Sequence, residues 1–273
     1  MTQAPATNIH RPADRPIVCV QGLGFVGAAM SAAVASAKTP DGHPRFTVIG
    51  LDLPTADGQR RIEAVNAGRF PFETTDDKLQ SAISEARYAG NLEATANDEA
   101  YGRADIVIVD INCDVATDGG TPRVRIEPFV AGIRAMARRI RQGTLVIVET
   151  TVPPGTCEHV VAPEIQRTFT ERGLPADAFL LAHSYERVMP GRDYFDSVVN
   201  FWRVYAGYTP AAADACAAFL SQVINVAEFP LTRLKSPTAS ETAKVLENSY
   251  RATTIAFIDE WSRFAERAGV DLF

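Results

Sequence analysis

Short, uninterrupted apolar runs recur along the chain at residues 17–20, 46–51, 106–111, 145–148 and 179–182. Between them lie longer stretches with apolar positions at helical spacing, over 26–37, which is rich in alanine, and over 76–85, 126–141 and 211–220. Continuous apolar strands alternating with helices are the pattern of a sheet covered on both faces. The sequence therefore predicts an α/β fold of the Rossmann type, doubly wound around a mostly parallel sheet.

The last element has a different rhythm. Leu246, Tyr250, Thr253, Phe257, Trp261, Phe264 and Ala268 follow one another in steps of four and three, which is one apolar stripe on a single long helix. Ser236-Pro237 marks its start, and Thr238-Ala-Ser-Glu241 fits a capping box, so a boundary is expected near residue 236. A helix of about 30 residues is roughly 45 Å long, more than one domain needs, so it is expected to bridge to another unit. An apolar stripe of that length is expected to be covered, and a homodimer packed through this helix covers it. The division predicted is a polar, proline-bearing disordered arm at 1–15, a dinucleotide-binding domain at 16–235, and a long central helix at 236–273 that begins a dimerisation or substrate domain.

Composition narrows the function classes. Hydrophobic residues make up 46% of the chain and charged residues 22%, the balance of a globular protein with a sizeable core. The net charge of −6 comes with no basic block, which argues against nucleic acid and against an anionic membrane surface as partners. No apolar run approaches the roughly 20 residues that span a bilayer, and the opening stretch lacks a signal core. Cys19, Cys113, Cys157 and Cys216 are scattered, with no CxxC pair and no histidine at ligand spacing, so no metal site and a reduced, cytoplasmic setting are expected.

The chemistry begins at Gly22-Leu23-Gly24-Phe25-Val26-Gly27, which follows the first strand directly and opens the first helix. In that context Gly22 permits the tight turn, Gly24 lets a phosphate approach the backbone, and Gly27 allows close helix packing, while the helix amides face the pyrophosphate. Asp52 ends the second strand, where a carboxylate binds ribose hydroxyls and repels a 2′-phosphate, so NAD is expected rather than NADP. FAD uses the same fingerprint and ranks below NAD. A plain structural turn explains the glycines less well than strand, helix and acid together.

Open α/β sheets bind ligands beyond the carboxyl ends of their strands, which draws attention to two loops. Glu149-Thr150-Thr151-Val152-Pro153-Pro154-Gly155-Thr156 presents Thr151 at a strand end, although prolines and hydroxyls also suit a helix cap. Ser184-Tyr185-Glu186-Arg187 sets a carboxylate beside a guanidinium, and such a pair is commonly a surface salt bridge. On the long helix Lys244 and Asn248 share a face off the apolar stripe. That face is either merely solvated or carries an ammonium and an amide able to stabilise an oxyanion.

Taken in order, these segments resemble the UDP-glucose and UDP-N-acetylhexosamine dehydrogenase family, the nucleotide-sugar 6-dehydrogenases, from about residue 17 to 273. The resemblance is carried by the glycine turn, Asn66-Ala-Gly68-Arg-Phe-Pro71-Phe-Glu73, Ala104-Asp105, the loops at 149–156 and 184–191, and Glu241-Thr-Ala-Lys244-Val-Leu-Glu247-Asn248-Ser-Tyr250-Arg251. It implies oxidation of the C6 alcohol of a UDP-sugar to a carboxylate in two hydride transfers to NAD. It further implies that Lys244 and Asn248 stabilise oxyanions, that Glu186 assists proton transfer, and that Thr151 helps position water beside the cofactor.

Three departures stand out. Asp110-Ile-Asn112-Cys113-Asp114-Val115 replaces a family motif that carries a cysteine and a Thr-Pro pair, and Tyr185 replaces the proline of a serine-proline-glutamate pattern. The family's nucleophilic cysteine follows the long helix, beyond Phe273, and none of the four cysteines substitutes for it: Cys19 and Cys216 read as core, while Cys113 and Cys157 lie in other motifs. The expectation is thus the amino-terminal, NAD-binding part of such an enzyme. A two-electron β-hydroxyacid-type dehydrogenase and a non-catalytic NAD-binding and dimerisation module remain as alternatives.

Overall fold

Every residue of β1 (Ile17–Gln21) and β2 (Thr47–Leu51) is buried, as continuous apolar runs require of strands covered on both faces. The computed structural model describes residues 15–189 and 191–271, so all but the last residue of the expected arm lies outside it. From β1 the sheet extends in parallel through β4 (Ile106–Val109), β7 (Leu145–Val148) and β8 (Leu180–His183). On the other side β2 is followed by β3 (Leu92–Thr95), also parallel. The order β3-β2-β1-β4-β7-β8 is that of two mononucleotide-binding halves whose connections diverge between β1 and β4. Antiparallel β9 (Val204–Gly207) and then β10 (Thr232–Arg233) complete eight strands.

Two apolar layers sandwich the sheet. On one face lie α1 (Phe25–Ser36), α2 (Ala56–Asn66), α3 (Asp77–Tyr88), α6 (Tyr194–Val199) and α7 (Pro210–Leu220). On the other lie α4 (Ile126–Ala137) and α5 (Ala162–Glu171). The alanines of α1 have a physical reason: Ala28, Ala29, Ala32 and Ala33 are all buried, and their small side chains let the helix lie close on the strands.

Some elements escape a reading by apolar runs. β3 alternates buried with half-buried positions, as an edge strand does, and so lacks a continuous run. The hairpin of β5 (Val115–Asp118) and β6 (Thr121–Val124) has little apolar content and turns through Gly119 and Gly120 at φ 61° and 87°.

The long helix is α8 (Pro237–Ala268), ended by Gly269 in the left-handed region at φ 72°. Its start corrects the expected capping box. Pro237 occupies the first helical turn and Ser236 becomes the cap, its Oγ accepting from Ala239 N–H at 3.2 Å. Glu241 then falls inside the helix, and its buried carboxylate accepts from Gly155 N–H at 2.5 Å and Cys157 N–H at 2.7 Å. Those amides open the helical turn at Cys157–Val161 that leads into α5, where backbone donors have no intrahelical partner. Ser240 Oγ meets His183 Nδ1 at 2.8 Å, a second anchor between α8 and the sheet. Burial pushes the His183 imidazole down to about 4, so it is neutral in that contact.

Candidate active site

The glycine turn is built as its spacing demands. Gly22 has φ +98°, and a Cβ there would also lie 2.6 Å from Asp110 O. A Cβ on Gly27 would lie 1.9 Å from Gly22 O, so the helix packs directly on the turn. Gly24 differs: a Cβ there would meet nothing within 4 Å. As the cap of α1 it has no side-chain hydrogen bond to the helix amides, which leaves an anion-sized cradle over the helix end. These residues fit a dinucleotide pyrophosphate.

Asp52 stands beside this turn at the end of β2. Its Oδ2 accepts from Leu23 N–H at 3.2 Å and its Oδ1 from Leu53 N–H at 2.8 Å. Arg61 Nε of α2 lies 2.9 Å from Oδ2, so the carboxylate is both fixed and ion-paired. Phe25 stacks on Phe72 with ring centroids 4.0 Å apart at the outer edge of the turn.

A cleft of about 220 Å³ opens beyond the carboxyl ends of β4 and β7, lined by Val26, Asp110 to Asp114, Glu149, Thr150, Thr151 and Glu186. It unites Val26, Thr151 and Glu186 from three separate segments of the chain. The two threonines divide their work: Thr150 Oγ1 donates to Val109 O and Ile111 O, while Thr151 is exposed to the cleft.

Glu186 and Arg187 do not pair with each other, contrary to the salt bridge their adjacency suggests. Consecutive side chains on an extended loop point apart. Arg187 Nη2 lies 2.6 Å from Glu247 Oε1, and its guanidinium covers the Phe201 ring at 5.1 Å. Glu186 turns to α8 instead: Lys244 Nζ donates to Glu186 O at 2.8 Å and lies 3.4 Å from its Oε1, while Val188 N–H closes on Oε2. Lys244 is buried, so its ammonium is committed to this corner. Asn248 lies one turn further along α8, exposed and outside the lining of the cleft.

Sequence reasoning gave no role to the floor of the cleft. There Glu149 Oε1 meets Arg203 Nη1 at 3.1 Å, both side chains buried. Burial pushes the Glu149 carboxyl up to about 7 against the opposing pull of Arg203. Asp110 is raised well above the usual carboxylate range by burial, then by the charges of Glu149 and Glu186. The available signal was an acid closing each of two otherwise apolar strands, Ile-Val-Ile-Val-Asp110 and Leu-Val-Ile-Val-Glu149.

The thiols behave as core. Cys19, Cys157 and Cys216 are buried, and burial pushes Cys19 up to about 12. Cys113 lines the cleft half-exposed, its thiol raised by burial and by Asp114. Among the described residues no group of three histidine, cysteine or acidic side chains is placed to hold a metal ion. Among the same residues no helix is long and apolar enough to cross a membrane.

Residues 17–223 match the NAD binding domain of the UDP-glucose/GDP-mannose dehydrogenase family. The chain belongs to that family. It is 26% identical over 257 residues to the UDP-N-acetyl-D-mannosamine dehydrogenase of Methanocaldococcus jannaschii, covering 94% of this chain and 53% of the relative. Against the UDP-N-acetyl-D-glucosamine 6-dehydrogenase of Pseudomonas aeruginosa it is 26% identical over 254 residues, 93% of this chain and 54% of that one. Among solved structures, a UDP-glucose dehydrogenase from Pyrobaculum islandicum superposes with a TM-score of 0.78 at 25% identity, covering 96% of this chain and 56% of that chain. The chain spans about half the length of the curated relatives it matches. The family's NAD-binding domain is thus the frame for the glycine turn, Asp52 and the cleft.

Proposed function

We propose that this chain binds NAD along residues 22–27 and Asp52, and forms the cofactor half of a nucleotide-sugar dehydrogenase that oxidises the C6 alcohol of a UDP-sugar to a carboxylate in two hydride transfers. The observation that carries this reading is the cleft itself, where Thr151 and Glu186 face Val26 at the end of the glycine turn and Lys244 of α8 pairs with Glu186. The bound nicotinamide would supply the hydride acceptor.

The chain's own residues supply part of the remaining chemistry. Lys244 holds an ammonium where an alkoxide or aldehyde oxygen needs one, and Asn248 extends the same helix face with an amide donor. The Glu186 carboxylate, 3.4 Å from that ammonium, accepts and returns a proton. The Thr151 hydroxyl orients water. The Asp52 carboxylate at the end of β2 favours NAD over NADP, because a 2′-phosphate would meet its negative charge where ribose hydroxyls can donate to it. In this reading residues 16–235 are the cofactor domain, 236–273 begin a dimerisation or substrate domain, and the setting is cytoplasmic.

Calorimetry with NAD tests the first half of the proposal. Saturable binding is expected, and Asp52→Ala should weaken it by about tenfold to a hundredfold through the loss of charge-assisted hydrogen bonds. No heat from the unmodified chain would overturn the cofactor assignment. Turnover with a UDP-sugar tests the second half: two NADH per sugar support the four-electron enzyme and one NADH supports the β-hydroxyacid-type reading, while binding without NADH is the result expected both of a cofactor half by itself and of a non-catalytic module.

The stripe on α8 supports a homodimer. Phe257, Trp261 and Phe264 are exposed yet packed on one another, with ring centroids 6.1 and 5.4 Å apart. Light scattering at micromolar concentration should give twice the chain mass. Trp261→Asp should raise the dimer dissociation constant about thirtyfold or more, as loss of an aromatic anchor does. A monomeric unmodified chain would sink this assignment.

A further inference from the structure

Val109 pairs with Val148 in the ladder between β4 and β7, so the residues that follow, Asp110 and Glu149, are cross-strand neighbours at the carboxyl edge of the sheet. Adjacent strands lie about 4.8 Å apart, which puts the two acids side by side. Both lie on the face covered by α1: a Cβ on Gly27 would come within 3.1 Å of Asp110 Cβ, and Arg203, which holds Glu149, also reaches Met30 Sδ at 3.6 Å. Both line the cleft. Each keeps one oxygen sealed from solvent, Asp110 Oδ2 and Glu149 Oε2, with no hydrogen-bond partner among the described residues. A proton on one oxygen facing the other would satisfy both.

The charges around this floor can be enumerated. Glu186 and Lys244 pair with each other. The Tyr194 hydroxyl of α6 is committed to Phe25 O, the Cys216 thiol of α7 is kept protonated by burial, and Gln21 of β1 is neutral. Asp114 lies further out on the cleft wall. Among the described residues Arg203 is then the cation left for two carboxyls, and it balances one of them. Asp110 is the acid left without a counter-charge, since Arg203 is held by Glu149.

We propose that Asp110 and Glu149 share one proton held between Asp110 Oδ2 and Glu149 Oε2, so that the floor facing the bound dinucleotide carries one negative charge rather than two. The proposal rests on the NAD reading above. An ionised Asp110 would face the same positive end of α1 that the pyrophosphate occupies, so binding the anion drives the pair to its protonated form. Cofactor affinity is therefore linked to one proton, and it falls as pH rises. Burial, which raises both acids, acts in the same direction.

The test is NAD titration of the 273-residue chain between pH 6 and 9 in two buffers of different ionisation heat. Proton uptake should rise toward about one per NAD above pH 8, where affinity should fall by up to about tenfold per pH unit. Asp110→Asn keeps a donor and removes the titration, and Asp110→Ala removes both, so each should abolish the uptake and flatten the pH slope. Binding by the unmodified chain without proton uptake at pH 8 would overturn the proposal and leave the cofactor assignment standing. Uptake retained in either folded variant would overturn it as well, whereas absence of NAD binding at every pH would overturn the cofactor assignment and this proposal with it.

Discussion

Arg203→Met is expected to cost about 3 to 5 kcal/mol of folding stability at pH 8 and much less at pH 5. Arg203 and Glu149 are both buried and meet at 3.1 Å, so removing the guanidinium leaves a buried carboxylate with no counter-charge. The sign of the pH dependence follows from Glu149. Its carboxyl is raised from 4.5 to about 7 in the folded chain, so between those values the folded state holds a proton that the unfolded state has lost. The stability tied to that proton is fully present below 4.5 and is lost as pH rises through 7. Without Arg203 the carboxyl rises further, and the loss at pH 8 deepens while the protonated form at pH 5 tolerates the methionine. Urea unfolding at the two pH values measures the difference, and equal destabilisation at both would refute the argument.

Glu241→Ala is expected to cost about 3 kcal/mol at neutral pH, because two buried backbone donors, Gly155 N–H and Cys157 N–H, lose their acceptor. Glu241→Gln retains one acceptor oxygen and should lose about half as much. Hydrogen exchange adds a local readout: the Gly155 and Cys157 amides should lose protection beyond that expected from the global change. A loss below about 1 kcal/mol for the alanine variant would show that water replaces the carboxylate there.

These two residues also mark the border of what the amino-acid order reveals. The apolar runs predicted five strands at or within a residue or two of their observed bounds, because a strand buried on both faces must be apolar throughout. The glycine turn was legible because Gly22 and Gly27 answer to backbone contacts under 3 Å that any side chain would violate. Asp110, Glu149 and Arg203 were visible as residue types but not as a buried trio, since burial of a strand-end acid depends on α1 and β9 arriving from elsewhere in the chain. Glu241 was misassigned for a local reason: a capping box and a long-range cap use the same residue, and only the position of Pro237 in the first helical turn decides between them. Lys244 and Asn248 shared a helical face as expected, yet one is buried against Glu186 and the other exposed, a distinction set by where α8 leaves the sheet.

The anchoring of α8 has a mechanical side. Ser240 and Glu241 clamp the helix near its start, and Lys244 follows within one turn, while the 32-residue helix runs on to Ala268. At 1.5 Å per residue the far arm from Glu241 is about 40 Å and the arm to Lys244 about 4.5 Å. A swing of the helix by 5° about that fulcrum moves the aromatic tip by about 3 Å but the lysine backbone by about 0.4 Å. Lys244 sits on the short arm of a lever, so flexing at the aromatic tip reaches its backbone geared down roughly eightfold.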